Sequence, residues 1–482
     1  MNELFPEEGL SKTEVIEALQ SRRQNDLRSD GRAFAFAYDA GADVREVARE
    51  AFSACMGING LDPTVYPSAR TLENELVGAC LAHLRAPDGA VGTATAGGTE
   101  SIMLAVKTAR DYARKTRPEV SEPEMLLPVS AHASFHKAAH YFGVKVVPVE
   151  LDPQTMRADV DDARRKIGDN TILVCGSATS YSHGKIDPIA ELAALAHAHG
   201  ALMHVDACIG GWVLPFQREL GIEQPAFDFT VEGVTSISMD LHKYAFAPKG
   251  VSVLLQRRRE LRDAQYYACA KWTGYAIVNS TKLGSKSLAG LGAAWALLRF
   301  IGRARYREMV KQMWEAKDKV LAAVQAIDDL RVVGDPDMGL IALATEVGDL
   351  WQLADRLAAR GWFVQPTYHY GVSPAHIHLQ IDPGNAACID TFNDDLAAAM
   401  QGLPARQEAP AAVVQMLEAV VSGEDAASAG VSPAALMAQL GVVDGRLPEQ
   451  TALIHRVLDA ASPPLRERLL GLFVGELFNG TL

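Results

Sequence analysis

The chain has 482 residues, of which 48% are hydrophobic, and this is enough for a large core and one or two smaller units. Its formal net charge of −13 argues against general binding of nucleic acid or anionic membranes, because both need clustered Lys and Arg. No apolar run approaches the roughly 18 residues that cross a bilayer, and residues 1–20 lack the basic-then-apolar order of a signal peptide. We therefore expect a soluble, cytoplasmic protein.

The cysteine and histidine patterns do not indicate a metal centre. Six cysteines are scattered without a CxxC pair, at positions 55, 80, 175, 208, 269 and 388. This spacing predicts reduced, mostly buried thiols rather than a disulfide framework or a zinc site. His136 and His140 lie four residues apart on a predicted helix, but neither an HExxH motif nor a nearby third ligand accompanies them.

The first predicted element is a helix, because Ser11 and Glu14 have the spacing of a capping box ahead of the apolar run VIEAL. From about residue 72 to residue 256, short β-rich runs alternate with helical segments. The strand candidates are residues 125–130, 144–151, 172–178, 202–207, 236–241 and 251–256. This alternation predicts βαβ units and a mainly parallel sheet with helices on both faces. Ligands of such sheets bind beyond the carboxyl ends of the strands, so strand-end residues are the candidates for a site.

Two helix boundaries between these strands can be predicted from capping residues. The segment SFHKAAHYFG is expected to end at Gly143. The segment DPIAELAALAHAHG is expected to have Asp187 as its N-cap, Pro188 as its first helical residue and Gly200 as its stop.

A smaller α+β unit is expected after a long helical stretch near residues 287–328. Its strands would be LRVVG, GLIALAT, GWFVQP and HIHLQI, with DLWQLADRLAARG as a helix among them. From about residue 404 the chain is rich in Ala and Glu, which predicts a docked helical tail. The predicted domains are an N-terminal helical segment (1–60), a large α/β domain (61–310), a small α+β domain (311–403) and a helical C-terminal tail (404–482).

The stretch TATAGGTESIMLAVKTARDYAR (93–114) predicts a helix that begins near Thr99. Gly97 and Gly98 lie just before it, where free N–H groups at the positive end of the helix dipole suit a phosphate. A plain glycine turn that enters a helix is the alternative. The pattern is neither GxGxxG nor a Walker A loop, which argues against dinucleotide or NTP binding.

Asp206, in HVDACIGGW (204–212), ends an apolar strand, where a carboxylate needs a partner. A protonated ring nitrogen is one such partner. The alternative is that the carboxylate caps the turn towards Gly210 and Gly211.

Lys243 follows the apolar strand of SISMDLHKYAFAPKG (236–250). A lysine at a strand end inside a cleft can lose its proton through desolvation and attack a carbonyl to form a Schiff base, whereas an ordinary strand leaving the core is the alternative. The order of the motifs favours the chemical interpretation, because a glycine turn at a helix start and the strand-end Asp206 precede Lys243. Together they supply a phosphate cradle, a pyridinium partner and a point of covalent attachment, which are the three features that pyridoxal phosphate requires.

His132, in VSAHASFHKAAHYFG, ends another predicted strand and precedes a helix. Its imidazole is suited to stacking on a flat cofactor ring, and a helix-capping histidine is the alternative.

At these residues the chain resembles the group II pyridoxal-phosphate decarboxylase family, and within it the sphingosine-1-phosphate lyase branch. The resemblance runs over nearly the whole chain. The motifs that carry it are TAGGTESIMLAVK, VSAHASFHKAAHYFGVKVV, HVDACIGGWVLPF, GVTSISMDLHKYAFAPKG and NSTKLGSKSLAG.

The resemblance implies an α/β protein of pyridoxal-phosphate fold type I, and a homodimer whose active sites lie between the subunits. Pyridoxal 5′-phosphate would be attached to Lys243, paired through its ring nitrogen with Asp206 and stacked against His132. Its phosphate would be held by four residues, Gly97, Gly98, Thr99 and His242. The GSK loop, with Gly284 and Ser285, would reach the cofactor phosphate of the partner subunit.

For the substrate, the resemblance implies that Tyr181 and Lys249 lie near the reacting amine and that Tyr38 belongs to the pocket. A lyase would break the Cα–Cβ bond of a phosphorylated sphingoid base after a base takes the 3-hydroxyl proton, giving phosphoethanolamine and a long-chain aldehyde. A decarboxylase would break the bond between Cα and the carboxylate of an L-amino acid. Tyr181, Lys249 and His132 are the candidates for proton transfer.

The chain departs from the lyase branch at one substrate segment. Where the lyases read Asn-Pro-Leu-His, with a histidine that helps bind the substrate phosphate, this chain reads NGLD from Asn59 to Asp62. A carboxylate repels a phosphate unless a cation neutralises it, so Asp62 favours the decarboxylase alternative. Residues 245–246 also read AF in place of the usual Gly-Tyr, and the membrane anchor of the eukaryotic lyases is missing, which fits a bacterial-type form.

The lyase is the leading hypothesis, and an amino-acid decarboxylase on the same scaffold is the second. A non-enzymatic binding protein is the third, and it would require the glycine turn, Asp206 and Lys243 to occur together by chance.

Overall fold

The computed structural model describes residues 5–27, 30–422, 441 and 448–478. The strands of its main sheet are β1 (Val91–Thr95), β2 (Glu124–Pro128), β3 (Lys145–Val149), β4 (Thr171–Ser177), β5 (Leu202–Asp206), β6 (Val234–Asp240) and β7 (Ser252–Gln256). Their spatial order is β1-β7-β6-β5-β4-β2-β3. Strands β3, β2, β4, β5 and β6 are parallel, and β7 runs antiparallel between β6 and β1. The prediction of a mainly parallel sheet is confirmed, and so are its six predicted strands.

The edge strand β1 was not predicted. It reads VGTAT and pairs with β7 along its whole length. A methyl group at Gly92 would lie 2.7 Å from the side chain of Leu255 and 2.8 Å from that of Val77, so the close packing requires glycine. Because small residues give little alternation between apolar and polar positions, the sequence signal of this strand is weak.

Helices accompany the main sheet and precede it in the chain. They are α1 (Lys12–Arg22), α2 (Ala42–Cys55), α3 (Pro67–His83), α4 (Gly98–Thr116), α5 (Ser134–Phe142), α6 (Val160–Lys166), α7 (Ile189–Ala198), α8 (Gly210–Glu219) and α9 (Arg259–Gln265). Every residue of β4, β5, β6 and β7 is buried, as expected of strands covered on both faces. The capping box of Ser11 and Glu14 is present, and Gly143 ends α5 in the left-handed conformation, as predicted.

The predicted start of α7 is wrong by one residue. The helix begins at Ile189, and Pro188 precedes it with non-helical angles (φ −71°, ψ 68°). Asp187 does not cap this helix, because its buried carboxylate accepts the N–H groups of Ala158 and Ser177 at 2.9 and 2.7 Å. Burial raises the pKa of Asp187 to about 6. The side chain ties β4 to the segment before α6, a long-range contact that local spacing does not reveal.

A second, antiparallel sheet follows the hairpin of β8 (Tyr267–Cys269) and β9 (Ile277–Asn279) and the long helix α10 (Ala289–Gln325), which is kinked at Gly302. Its strands are β10 (Leu330–Val332), β11 (Leu340–Thr345), β12 (Gln365–Thr367) and β13 (His376–Gln380), in the order β10-β11-β13-β12. The helices beside it are α11 (Leu350–Ala358), α12 (Pro383–Ala386) and α13 (Ile389–Met400). The predicted long helix, three of the four strands and the helix α11 are confirmed, whereas β12 begins four residues later than the predicted strand GWFVQP (361–366).

The described part of the C-terminal tail is helical, with α14 (Ala411–Ser422), α15 (Ala452–Ala460) and α16 (Pro463–Leu477). Arg456 of α15 pairs at 2.7 Å with Asp349, the N-cap of α11. Thr451 donates its N–H to Asp355 of α11 at 2.9 Å. Residues 423–440, 442–447 and 479–482 of the predicted tail, and 1–4 and 28–29 of the predicted N-terminal segment, lie outside the described residues.

Several features of the described ranges concern the expected class of protein. None of the helices there is long and apolar enough to cross a membrane. All six cysteines are free thiols. Within the same ranges, no group of three or more His, Cys, Asp or Glu residues is placed to hold a metal ion.

Candidate active site

A cavity of about 370 Å³ lies at the carboxyl ends of β4, β5 and β6, which is where parallel sheets bind their ligands. Eight of the predicted site residues line it, namely Gly97, Gly98, Thr99, His132, Tyr181, Asp206, His242 and Lys243. They come from distant parts of the chain and meet because neighbouring parallel strands end at the same edge of the sheet.

Lys243 lies just beyond β6 in the wall of this cavity, with 19% of its side chain exposed. Its Nζ lies 2.9 Å from Oδ2 of Asp240, whose side chain is 2% exposed. The hydroxyl of Ser252 donates to the other oxygen of Asp240 at 2.6 Å. Burial is the largest single influence and would lower the pKa of Lys243, but Asp240, followed by Tyr38, Cys208 and Asp206, acts in the opposite direction, and together they raise the pKa. Burial acts to raise the pKa of Asp240, but the charge of Lys243, together with His242 and the hydrogen bond from Ser252, lowers it overall.

Asp206 ends β5, and its contacts show the turn-capping role while leaving one carboxylate oxygen for the predicted ring-nitrogen partner. Its Oδ1 accepts the N–H of Cys208 at 3.0 Å and the hydroxyl of Ser238 at 3.3 Å. The carboxylate therefore caps the turn after β5 through one oxygen. Because both hydrogen bonds go to Oδ1, Oδ2 remains available to a ligand in the cavity.

The glycine turn between β1 and α4 forms a second wall. Gly97 has φ 139°, a conformation that side chains rarely allow. A methyl group at Gly98 would lie 2.8 Å from both carboxylate oxygens of Asp240 and 2.9 Å from Sγ of Cys208. Glu100, in the first turn of α4, accepts the N–H of Ala96 at 2.5 Å and fixes the shape of the turn. The start of α4 thus brings the positive end of its dipole to the cavity wall.

His132 belongs to a short hydrogen-bond chain beside the glycine turn. Its Nδ1 lies 2.8 Å from the hydroxyl of Ser134, and that hydroxyl lies 2.9 Å from the hydroxyl of Thr99. Burial lowers the pKa of His132, and Asp206 acts in the opposite direction. His242, on the other side, is 2.9 Å from the carbonyl of Val251 through Nδ1.

Three of the predicted substrate residues, Tyr38, Tyr181 and Lys249, lie in or beside the cavity. Tyr181 lines it, and burial raises the pKa of Tyr181 to about 12. Lys249 lines an adjacent cavity of about 260 Å³, and its ammonium lies 4.5 Å from the centre of the Tyr38 ring. The Tyr38 ring packs edge to face on Tyr244, the residue after Lys243, at 5.1 Å. Burial lowers the pKa of Lys249, and the charge of Lys243 adds to this.

Besides Tyr38 and Lys249, four more predicted site residues lie outside the main cavity of the single chain, namely Asn59, Asp62, Gly284 and Ser285. Their roles stay predictions. Asn59 contacts the GSK loop, with Nδ2 donating to Ser285 Oγ at 3.4 Å. Gly284 lines a separate surface cavity. Asp62 is exposed and accepts the N–H and the hydroxyl of Thr64 at 2.8 and 2.6 Å, so its carboxylate caps its own turn.

Sequence reasoning missed several residues that line the cavity, including Asp240, Glu100, Ser177 and Thr179. Asp240 had a readable signal, because it ends an apolar strand in the same way as Asp206. The others had none, since single hydroxyls and carboxylates near loops are common.

Comparison with known proteins decides the family. The sequence model described as "Pyridoxal-dependent decarboxylase conserved domain" matches residues 5–345. The chain belongs to the pyridoxal-dependent decarboxylase family. A second model, for a C-terminal domain of pyridoxal-dependent enzymes, matches residues 394–476.

Among its relatives in this family, a sphingosine-1-phosphate lyase of Arabidopsis thaliana is 38% identical over 413 residues, which cover 84% of this chain and 74% of the plant protein. A Pyrococcus abyssi protein named "Probable L-aspartate decarboxylase" is 33% identical over 359 residues, covering 74% of this chain and 90% of that protein. The solved structure of a Burkholderia pseudomallei sphingosine-1-phosphate lyase has a TM-score of 0.78 at 35% identity and covers 82% of this chain and 92% of that chain. The predicted family, fold type I and the pyridoxal-phosphate cofactor are confirmed.

The residues of the cavity fit this cofactor. The space next to Asp240 depends on glycine at position 98. Thr179 lines the cavity, and its Oγ1 is buried without a hydrogen-bond partner among the described residues, so a polar ligand atom that reached it would satisfy it. Lys243 would attach the cofactor, Asp206 would face its ring nitrogen, and the turn at Gly97 would hold its phosphate. When bound, pyridoxal phosphate supplies an electron sink for the bond that breaks at the substrate Cα.

Proposed function

We propose that this enzyme is a carbon–carbon lyase that converts a phosphorylated sphingoid base to phosphoethanolamine and a long-chain aldehyde. The observation that carries the proposal is the 38% identity to the Arabidopsis lyase over 84% of this chain. The cavity supports it, because the residues expected to bind the cofactor within one subunit all line it.

The side chains around the cavity suit proton transfer to and from such a substrate. The raised pKa of Tyr181, about 12 because of burial, keeps its hydroxyl protonated and able to donate. The lowered pKa of Lys249 makes its neutral amine easier to form, which suits a base that takes the 3-hydroxyl proton. The lowered pKa of His132 favours a neutral imidazole that can lie against an aromatic ring. We therefore assign Tyr181 as the proton donor, Lys249 as the base and His132 as a stacking residue.

A decarboxylase that acts on an L-amino acid is the second candidate. The carboxylate of Asp62, which replaces the histidine of the lyase branch, favours a substrate without a phosphate. The likeness to the Pyrococcus protein covers 90% of that protein and points the same way.

Product analysis separates the two reactions. The purified holoenzyme is incubated with dihydrosphingosine-1-phosphate and, separately, with a panel of L-amino acids that includes aspartate and glutamate. Fatty aldehyde from the first substrate is the expected result, whereas carbon dioxide from the panel without any aldehyde would replace the lyase by the decarboxylase. Lys243→Ala should lose both the cofactor absorbance and the borohydride-reducible adduct, while Lys145→Ala, at a lysine with 70% of its side chain exposed, should keep them.

We also propose that the enzyme is a homodimer with shared active sites, because Asn59, Gly284 and Ser285 lie outside the cavity of their own subunit. Complementation tests this. Lys243→Ala and Ser285→Asp each inactivate a homodimer if Ser285 serves the partner's site, but a mixed dimer keeps one intact site. Random mixing should therefore restore about one quarter of the wild-type activity, and no restoration would contradict shared sites.

Two further predictions from the sequence stand as proposals. The division into residues 1–60, 61–310, 311–403 and 404–482 is one, and limited proteolysis near residue 404 tests its last boundary. A cytoplasmic location is the other, supported by the six free cysteines. Immunolocalisation of the tagged chain, or fractionation of its host cells, tests the location.

A further inference from the structure

The polar face of β13 is an unusual feature of the second sheet. Alternate residues of a strand point to one face, and here His376, His378 and Gln380 alternate with Ile377 and Leu379. All three polar side chains are at most 1% exposed, and Asp382, two residues further on, is 3% exposed. Polar side chains in such a core are costly unless they make specific contacts.

The contacts of this face lead to the active site. The His378 ring stacks on the Tyr181 ring, with centres 4.1 Å apart and planes 26° apart. Nε2 of Gln380 donates to the carbonyl of Ala37 at 2.7 Å. The carboxylate of Asp382 accepts the N–H of Asp39 at 2.9 Å.

Tyr38 is therefore held on both sides along the chain, because Ala37 is hydrogen-bonded to Gln380 and Asp39 is hydrogen-bonded to Asp382. The main chain nearby is fixed as well, since Gln380 donates its own N–H to the carbonyl of Phe34 at 2.7 Å. The hydroxyl of Tyr244 donates to the carbonyl of Ile381 at 2.9 Å, and its ring packs against Tyr38. Residues 378–382 thus contact three separate parts of the site, which are Tyr181, the segment around Tyr38, and Tyr244.

We propose that the polar face of β13 positions the two tyrosines of the substrate pocket, with His378 orienting Tyr181 and the pair Gln380 and Asp382 fixing Tyr38. The inference rests on the proposed function, in which both tyrosines contact the substrate. These residues act through the tyrosines and are positioning residues, not catalytic ones.

The His378 stack does not depend on the charge of the imidazole. Burial, followed by His376, lowers the pKa of His378 to about 3 and the Ser182 backbone acts in the opposite direction, so the ring is neutral at working pH. The titratable groups that face it are Tyr181, His183 and His376. Another flat, uncharged ring at position 378 should therefore keep Tyr181 in its orientation, whereas removal of the ring should leave the Tyr181 side chain free to move.

Tyrosine nitration tests the positioning without any substrate. Wild type, His378→Ala and His378→Phe holoenzymes are treated with tetranitromethane, and nitration of each tyrosine is followed by peptide mass spectrometry. We expect nitration of Tyr181 to rise at least about threefold in His378→Ala and to stay near the wild-type rate in His378→Phe, because a ring pair is retained there. Tyr306, which is 2% exposed, reports general loosening and should not change.

Kinetics on whichever substrate the wild type converts give the second readout. His378→Ala should lower kcat/KM about 3- to 10-fold with unchanged cofactor absorbance, and His378→Phe should restore it. Gln380→Met, which removes the donor to Ala37, should raise KM more than it lowers kcat.

The matched control is His83→Phe, because His83 is a buried histidine that bonds the Trp212 carbonyl at 3.0 Å on the far side of the core. It should change stability but neither nitration of Tyr181 nor kcat/KM.

The two proposals fail in different ways. Unchanged nitration of Tyr181 in His378→Ala, or equal changes at Tyr181 and Tyr306, would overturn the positioning role. Absence of aldehyde from the wild type with normal nitration differences would overturn the lyase while leaving the positioning role intact.

Discussion

Nζ of Lys243 lies 2.9 Å from the carboxylate of Asp240, at the end of the buried strand β6. Asp240 offsets the burial of the lysine and raises its pKa. In the cofactor-free chain this contact holds the amine in its charged form, although the neutral form is the nucleophile.

Asp240→Asn should therefore let the cofactor-free enzyme bind pyridoxal phosphate at lower pH. Burial, the largest influence on Lys243, is then opposed by fewer groups, so the pKa of Lys243 falls and the pH midpoint of reconstitution should fall by at least about one unit. Absorbance after borohydride reduction, recorded across a pH series, measures this. Asp228→Asn is the control, because Asp228 is a buried carboxylate that pairs with Arg85 and Arg218 elsewhere. An unchanged midpoint in Asp240→Asn would contradict the assignment.

Gly98→Ala should weaken cofactor binding. The new methyl group would lie 2.8 Å from the carboxylate oxygens of Asp240, and overpacking of this kind costs about 1–3 kcal/mol, or roughly 5- to 150-fold in affinity. Equilibrium titration with pyridoxal phosphate, followed by absorbance, gives the dissociation constant. Gly78→Ala is the matched control, since nothing lies within 4 Å of a methyl group there and helix α3 should gain stability. Equal affinities of the two variants would contradict the steric argument.

Asp382 should make a contribution to the stability of the wild type that is lost as the pH rises from about 4 to about 7. Burial raises the pKa of Asp382 to about 7 in the folded chain, whereas the unfolded value is about 3.9, so folding takes up a proton in this range. This contribution to the free energy of unfolding should fall by up to about 1.4 kcal/mol per pH unit, and Asp382→Asn should remove it, while the smaller contribution of Asp187 below about pH 6 remains. Urea unfolding at several pH values checks it. Asp390→Asn, at a side chain that is 76% exposed, should leave the slope unchanged.

Asp62→Asn tests whether this residue faces the substrate of either subunit. Asparagine can still accept from Thr64, so the turn is kept while the charge is removed. KM for a phosphorylated substrate should fall up to about fivefold, and KM for a substrate without a phosphate should not. Equal KM values for the variant and the wild type would place Asp62 away from the substrate.

The sequence by itself determined the class of fold and the cofactor, and it predicted the residues of the cofactor site. Alternation of apolar strands and capped helices predicted the parallel sheet, because both signals depend on residues close together in the chain. The glycine turn before α4, Asp206 and Lys243 were readable for the same reason, since each stands at a marked end of a strand or helix.

The tertiary structure alone decided which polar side chains meet in and around the site. Asp240 pairs with Lys243 because the chain bends after β6. Asp187 accepts the N–H of Ala158 in a distant loop instead of capping α7. His378, on the second sheet, stacks on Tyr181. These contacts join residues far apart in sequence or depend on the direction of a side chain. Local propensity and spacing carry no information about either, because burial and packing of whole elements decide which polar groups meet.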